Sequence, residues 1–388
     1  MRRWLFILAI IAAIGQTALA AGPIEPTTGR WISIGNGPSH SGSYPATLGS
    51  GSITPGWSKA FGRGMNPVAV SDGRVFVTTT GMPVTEANRY GFAVALNAES
   101  GAELWRVVLP TTTDAPIVNG GNVLVEAEPQ WAVYALGATD GSVKWIHPFD
   151  GIVRTAAAPT AGDHVWLSFG TGGVLGVRIS DNILQSVVPF VEGDRSIGAS
   201  YYAGVLYVTD GNLFEAIDPE TGAVQWTLPT SLGSIFFYNI VIPAIAKGKA
   251  ACISADLTTI DLQSHSVLWK VSSPSHTGLA ATDGSAVYAL SGDPYTAPTS
   301  IRAYNADTGS LLGVYPLTGI TGTERFDAPP QPLVTNDTVL VATDQATYIF
   351  DKASFTLRTR LPVGGHLSYA AGTLYLVDSC RGSPYLCL

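Results

Sequence analysis

Charge is scarce in this chain. Only 13% of its 388 residues are Asp, Glu, Lys or Arg, and the balance is acidic at −8, whereas an ordinary soluble domain carries about twice that charged share. A net negative surface repels phosphate backbones, which disfavours nonspecific nucleic-acid binding. Cysteine is rarer still: Cys252 sits in an apolar stretch, and Cys380 and Cys387 stand near the C-terminal end. The six histidines, His40, His147, His164, His265, His276 and His366, are too widely spaced to read as a zinc motif. A Gly-x-Ser-x-Gly elbow and a phosphate-binding loop are also missing.

Long apolar runs are missing beyond residue 20. Each hydrophobic stretch is cut within a few residues by Gly, Pro, Asp or Asn, so no transmembrane span is expected there. The exception is the start, where Met1-Arg2-Arg3 precede an apolar segment over residues 4–14 and the small residues Ala18-Leu19-Ala20. That order predicts a secretory signal peptide over residues 1–20. No Cys follows the expected cleavage point, so the lipid-attachment signal is absent. Losing Arg2 and Arg3 lowers the formal charge from −8 to −10, and the expected product is periplasmic or secreted. In an oxidising compartment Cys380 and Cys387 are candidates for a disulfide across a small loop, with two buried thiols as the other reading.

What the chain has is a repeat. A Gly- or Asp-containing turn followed by a short apolar strand recurs about eight times, around Gly73, Gly121, Asp163, Gly204, Gly248, Gly284, Asp337 and Gly372. The spacing of 35 to 53 residues is that of a four-stranded propeller blade. The second half of the phrase is a strand running into a polar turn and then Trp. It is clearest in Asp218-Pro219-Glu220-Thr221-Gly222-Ala223-Val224-Gln225-Trp226, with related copies ending at Trp105, Trp145 and Trp269. Asp or Asn bonds to backbone two residues on, Gly supplies positive φ, and Trp buries a large ring beside the next blade. A degenerate copy at Asn305 to Gly309 lacks the Trp.

This turn-and-Trp pattern resembles the repeat of the pyrroloquinoline-quinone-like β-propeller superfamily, over about residues 54–388. The stretch from Trp31 to Gly42 is similar to the lead-in that many exported members carry. The expected organisation is a signal peptide over 1–20, a lead-in over 21–52 and an all-β propeller over 53–388. After Gly372 the chain is too short for a fourth strand, and residues 53–61 read as that strand, with Trp57 in the position of Trp105 and Trp145. N- and C-terminal strands then close eight blades of four strands and remove an exposed edge. Seven blades is the alternative, should the third blade, whose Gly176 to Gln185 copy lacks the Trp, be malformed.

Strand alternation sends the polar turns to one face and the longer loops, near residues 81–90, 148–155, 189–197, 228–242, 291–299 and 317–330, to the other. Arg63, Arg154, Arg195 and Arg325 fall on this loop face. Gathered at one mouth of the channel they offer fork-shaped donors to an anion or an acidic partner; local pairing with Asp150, Asp194, Glu324 and Asp327 is the other reading. Phe236 and Phe237 are candidates for an exposed apolar anchor, against packing on the adjoining blade.

For function, the resemblance implies two classes. Members that oxidise alcohols or sugars use pyrroloquinoline quinone with calcium or a related cation, a carboxylate base and, in several, adjacent cysteines. Adjacent cysteines are absent here and the carboxylates are scattered. The chain is also similar in length and repeat type to the propeller subunit of the outer-membrane barrel-assembly machinery. The expectation is therefore a noncatalytic exported scaffold with no cofactor, binding another periplasmic or envelope protein. The alternative is a quinone-dependent dehydrogenase or quinone sensor.

Overall fold

Each repeat folds as an antiparallel sheet whose strands pair in chain order. The computed structural model describes residues 30–377 except 31–32, 34, 50–52, 62–63, 80–89, 111, 113–114, 128–131, 150–152, 155–159, 170–172, 190–197, 210–212, 231, 233–240, 255, 273–275, 293–298, 321–323 and 325–329. The first sheet comprises β1 (Ala69–Ser71), β2 (Arg74–Thr78), β3 (Tyr90–Asn97) and β4 (Glu103–Pro110), and the second β5 (Ile117–Asn119), β6 (Asn122–Ala127), β7 (Ala132–Gly137) and β8 (Val143–Pro148). In the third, β9 (Val153–Arg154) and β10 (Thr160–Ala161) both pair with β11 (His164–Phe169), followed by β12 (Gly173–Arg178) and β13 (Leu184–Pro189). The third repeat, whose turn copy over residues 176–185 lacks the Trp, thus forms a complete sheet.

Three further four-stranded sheets follow. They are β14 (Gly198–Tyr202) to β17 (Val224–Pro229) through β15 (Val205–Thr209) and β16 (Leu213–Ile217); β18 (Ala244–Ala246) to β21 (Ser266–Ser272) through β19 (Lys249–Ile253) and β20 (Asp256–Asp261); and β22 (His276–Thr282) to β25 (Leu311–Pro316) through β23 (Ala286–Ser291) and β24 (Ser300–Asn305). The seventh sheet holds β26 (Leu333–Val334), β27 (Thr338–Ala342), β28 (Thr347–Asp351) and β29 (Leu357–Leu361). A two-stranded sheet of β30 (His366–Ala370) and β31 (Thr373–Val377) comes last. Six sheets therefore have four strands, and β30 lies against both β27 and β1. This is an all-β propeller arrangement.

Second and third strands such as β7 and β23 are buried along their whole length, whereas outer strands such as β8 and β17 are largely exposed. The core accordingly lies between neighbouring sheets. Phe76, Ala95 and Trp105 of the first sheet, for example, pack with Val125 and Leu136 of the second. Hydrophobic burial between sheets drives the assembly, because no single sheet encloses a core.

The Trp contacts show how one sheet locks to the next. Indole Nε1 donates from Trp57 to the Ala98 carbonyl at 2.9 Å, from Trp105 to Ala138 at 3.1 Å, from Trp145 to Ile179 at 2.6 Å and from Trp269 to Ala306 at 3.0 Å. Each acceptor is the second residue of the following sheet's polar turn. Three residues further on the turn needs positive φ, which Gly101, Gly141 and Gly309 supply at 69 to 70°. A Cβ there would sit 2.6 to 2.8 Å from the ring of Trp57, Trp105 or Trp269, so the glycine serves both the turn and the close approach of the indole. Trp226 differs: it stacks on His265, the positive-φ residue of the next turn, with centroids 4.4 Å apart.

The sixth and seventh sheets reverse the pattern. Gly313 stands opposite Ala303, where Trp105 stands opposite Ala95, and the positive-φ position of the next turn is Phe355 at 61°. The Phe355 ring fills the space an indole would take, within 2.3 to 2.5 Å of a Cβ built on Gly313. The Tyr315 hydroxyl supplies the missing donor, to the Lys352 carbonyl at 3.1 Å.

Residues 53–61, expected as an outermost strand, are not part of any described sheet. The C-terminal strand expected to pair with them lies beyond residue 377, outside the described residues, as do Cys380 and Cys387. Side chains of the segment nevertheless bridge the last and first sheets. Trp57 lies 6.3 Å from Tyr375 of β31, Lys59 pairs with Glu103 of β4 at 3.4 Å, and the Arg106 guanidinium lies over the Phe61 ring. Cys252 is a free thiol buried in β19, and burial pushes its pKa up.

Candidate functional site

Inner strands such as β14 and β18 end on one face at tight turns, and it is on this face that the lead-in crosses the ring. Residues 35–49 form a strap whose carbonyls accept from successive inner strands. Pro38 O accepts from Tyr201 N of β14 at 2.8 Å, Ser39 O from Ile245 N of β18 at 2.9 Å and Ser41 O from Thr282 N of β22 at 2.7 Å. Gly42 O then accepts from Val334 N of β26 at 2.9 Å, and Tyr44 N donates to Val334 O at 2.7 Å. The Tyr44 ring meets Tyr369 of β30 edge-on at 5.0 Å. Beyond it, Asp337 accepts from the amides of Leu48 and Gly49 and from Arg358. Burial pushes the Asp337 carboxyl up, but these bonds outweigh it and hold the pKa below the ordinary carboxylate range.

The strap is buried although it is polar: Asn36, Ser39, His40 and Ser41 are all nearly inaccessible. Its buried carbonyls are satisfied by inner-strand amides, which is what lets a polar segment fill the mouth. Sequence reasoning read residues 21–52 only as a lead-in. The signal that was available lies in the glycines: Gly35 and Gly42 adopt φ of 70° and 65°, and a Cβ on Gly42 would fall 2.7 Å from the Ala281 Cβ.

The opposite face carries the long loops. Of the predicted residues there, Arg154 lies in β9, opposite Ser168 at the loop-side end of β11. Arg63, Arg195, Arg325, Phe236 and Phe237 lie outside the described residues, so the structure neither gathers nor separates these side chains. The loop roots are held by buried polar groups. Asn66 donates to Thr78 Oγ1 at 3.0 Å, and Thr209 Oγ1 donates to the Val241 carbonyl at 2.6 Å. Glu324, weighed above as a partner of Arg325, accepts from Thr343 Oγ1 and the Tyr348 hydroxyl at 2.9 Å and from Arg360 at 2.8 Å. Burial raises its pKa; the three bonds together lower it further, so the carboxylate stays ionised.

Among the described residues no group of three or more His, Cys, Asp or Glu side chains converges to hold a metal, and no helix is long and apolar enough to cross a membrane.

The family model for outer membrane protein assembly factor BamB matches residues 46–190 and 190–385. The chain belongs to the BamB family. The pyrroloquinoline-quinone-like repeat read from the turn-and-Trp pattern is thereby borne out. BamB of Yersinia pestis is 25% identical over 218 residues, which is 49% of this chain and 54% of that protein. BamB of Burkholderia pseudomallei is 24% identical over 287 residues, 66% of this chain and 67% of its own length. The chain thus spans about half the length of the Yersinia relative it matches. Among solved structures, BamB from Moraxella catarrhalis superposes with a TM-score of 0.59 at 17% identity, covering 81% of this chain and 90% of that one. A europium-containing methanol dehydrogenase gives 0.62 at 12% identity, covering 89% and 87%. At these identities the structural likeness carries the fold alone, and the same propeller serves both an assembly factor and an enzyme.

Proposed function

We propose that this chain is an exported, noncatalytic propeller scaffold that binds another envelope protein during outer-membrane assembly. The observation that carries this reading is the strap. It occupies the turn-side mouth of the ring with its carbonyls already bonded to inner strands, which leaves the loop-bearing rim as the binding face. Loops rooted on a rigid scaffold are where binding surfaces form. Arg63, Arg154, Arg195 and Arg325 fall on that rim in sequence, and guanidinium forks suit a partner's carboxylates. The role in outer-membrane assembly is carried over from the BamB relatives as part of this proposal.

Protein purified with its export signal processed and immobilised should retain one envelope protein from detergent-solubilised membranes in fixed stoichiometry. The triple variant Arg154→Ala, Arg195→Ala, Arg325→Ala should weaken that capture by about tenfold or more while melting within a few degrees of the parent. Undiminished capture by the triple variant removes this face from the reading. In the same preparation, pyrroloquinoline quinone with calcium should give neither a stable cofactor spectrum nor dye-linked alcohol oxidation. Stoichiometric quinone binding would transfer the chain to the cofactor class, and substrate-dependent turnover would make it an enzyme.

The scaffold reading includes closure of the ring as eight blades, with residues 53–61 completing the last one. It is supported by the contacts of Trp57, Lys59 and Phe61 with both end sheets. Deleting residues 53–61 should expose a sheet edge and sharply lower soluble yield and melting temperature, whereas deleting residues 22–28 should not. Equal tolerance of the two deletions argues against this closure.

A further inference from the structure

The strap contains one titratable side chain that nothing described so far uses. His40 is 1% exposed and sits at positive φ of 48°. Its Nδ1 lies 3.0 Å from Ser200 Oγ on β14, and Ser200 Oγ lies 2.6 Å from the Pro243 carbonyl that precedes β18. A carbonyl can only accept, so the single hydroxyl proton of Ser200 is committed to Pro243. Ser200 must then accept from His40, which fixes the neutral imidazole with its proton on Nδ1. Nε2 is left as a buried lone pair with no partner among the described residues.

A second proton has only Nε2 to occupy. There it would create a buried cation whose new N–H meets no acceptor, an arrangement that costs far more than exposure of the ring to water. The elements around the ring offer no relief. The strap carries Tyr44; β14 carries Tyr201 and Tyr202; Lys247 and Lys249 flank the turn after β18; β22 carries His276 at its opposite end; and the Asp337 carboxylate next to β26 is taken by Arg358. Nε2 of the imidazole has no hydrogen-bond partner among the described residues, and burial lowers its pKa from 6.5 to about 4.

We propose that His40 is an acid-operated latch: the neutral ring holds the strap in the turn-side mouth, and protonation drives the strap out of its seat on β14 and β18. Release frees the amides of Tyr201 and Ile245, which the strap otherwise occupies, and opens the second mouth of the ring. The sign follows from linkage. The docked ring has the lowered pKa and the released ring the ordinary one, so docking is fully favoured above pH 6.5 and weakens as pH falls toward 4. Between pH 7.5 and pH 5 the docked-to-released ratio should fall about 30-fold.

Two measurements on the full chain test this. Nitrogen NMR of ring-labelled histidine at neutral pH should show His40 as the Nδ1–H tautomer, titrating well below the ordinary imidazole value of 6.5 or lost by strap release on acidification. Hydrogen exchange of the Tyr201 and Ile245 amides, corrected for the pH dependence of intrinsic exchange, should lose about 30-fold in protection from pH 7.5 to pH 5. Central-strand amides of β23 should not. His40→Asn, which tolerates positive φ and does not titrate, should hold the change at the strap amides below about threefold. An Nε2–H tautomer, a reversible titration near 6.5 with the strap still docked, or unchanged protection at pH 5 overturns the proposal. Should His40→Asn fail to fold, the tautomer and exchange of the parent chain decide alone.

Discussion

Tyr44→Ala should lower the unfolding free energy by about 3–5 kcal/mol, the loss expected for truncating a fully buried aromatic ring. Tyr44 is 1% exposed and packs with Val70, Leu96, Leu340 and Tyr369, residues of the first, seventh and last sheets. Its hydroxyl also accepts from the Ala371 amide at 3.3 Å, so Tyr44→Phe isolates that bond and should cost about 1 kcal/mol. Urea unfolding of the two variants measures both. A loss below about 1 kcal/mol for Tyr44→Ala, outside the range for a buried ring, would mean that the strap is not docked in solution.

The Gly313–Phe355 exchange makes the second large prediction. Gly313→Trp alone drives an indole into the Phe355 ring and should destabilise by about 3 kcal/mol, at the upper end of overpacking costs. Phe355→Gly alone removes a half-buried ring but relieves a positive-φ side chain, and should cost about 2 kcal/mol. The double variant rebuilds the pair seen at Trp269 and Gly309. It should therefore be more stable than the single costs add up to, with a coupling energy of about 2–3 kcal/mol. Additive costs in a denaturant cycle would show that the two positions do not share one space.

These two sites divide what could be read from the sequence from what could not. Blade chemistry is local, so it is legible. The Asp218 carboxylate accepts from the amides of Glu220 and Thr221 within its own turn, and where a copy has the turn glycine and the Trp they recur at fixed offsets, as in Gly101 and Trp105, Gly141 and Trp145, and Gly222 and Trp226. Compensation across blades is not local. The copy at Asn305 reads as merely degenerate, because Phe355, which replaces its indole, lies 42 residues beyond Gly313. Beyond the glycines Gly35 and Gly42, the strap was hard to read for a different reason: Pro38, Ser39 and Ser41 act through backbone carbonyls, which leave no mark on residue type. The loop-face arginines were readable as a set only through the repeat period, and of the four only Arg154 falls within a described strand.

The central claim, that a protein partner sits on the loop face, is tested most directly by site-specific photo-cross-linking in exported protein. A cross-linking amino acid replaces Arg154 on the loop face in one variant and Glu220 in the polar turn of the opposite face in another. The account predicts a discrete cross-linked envelope protein from position 154 and none from position 220. A partner caught only from position 220, or none from either while the protein binds quinone stoichiometrically, would contradict it.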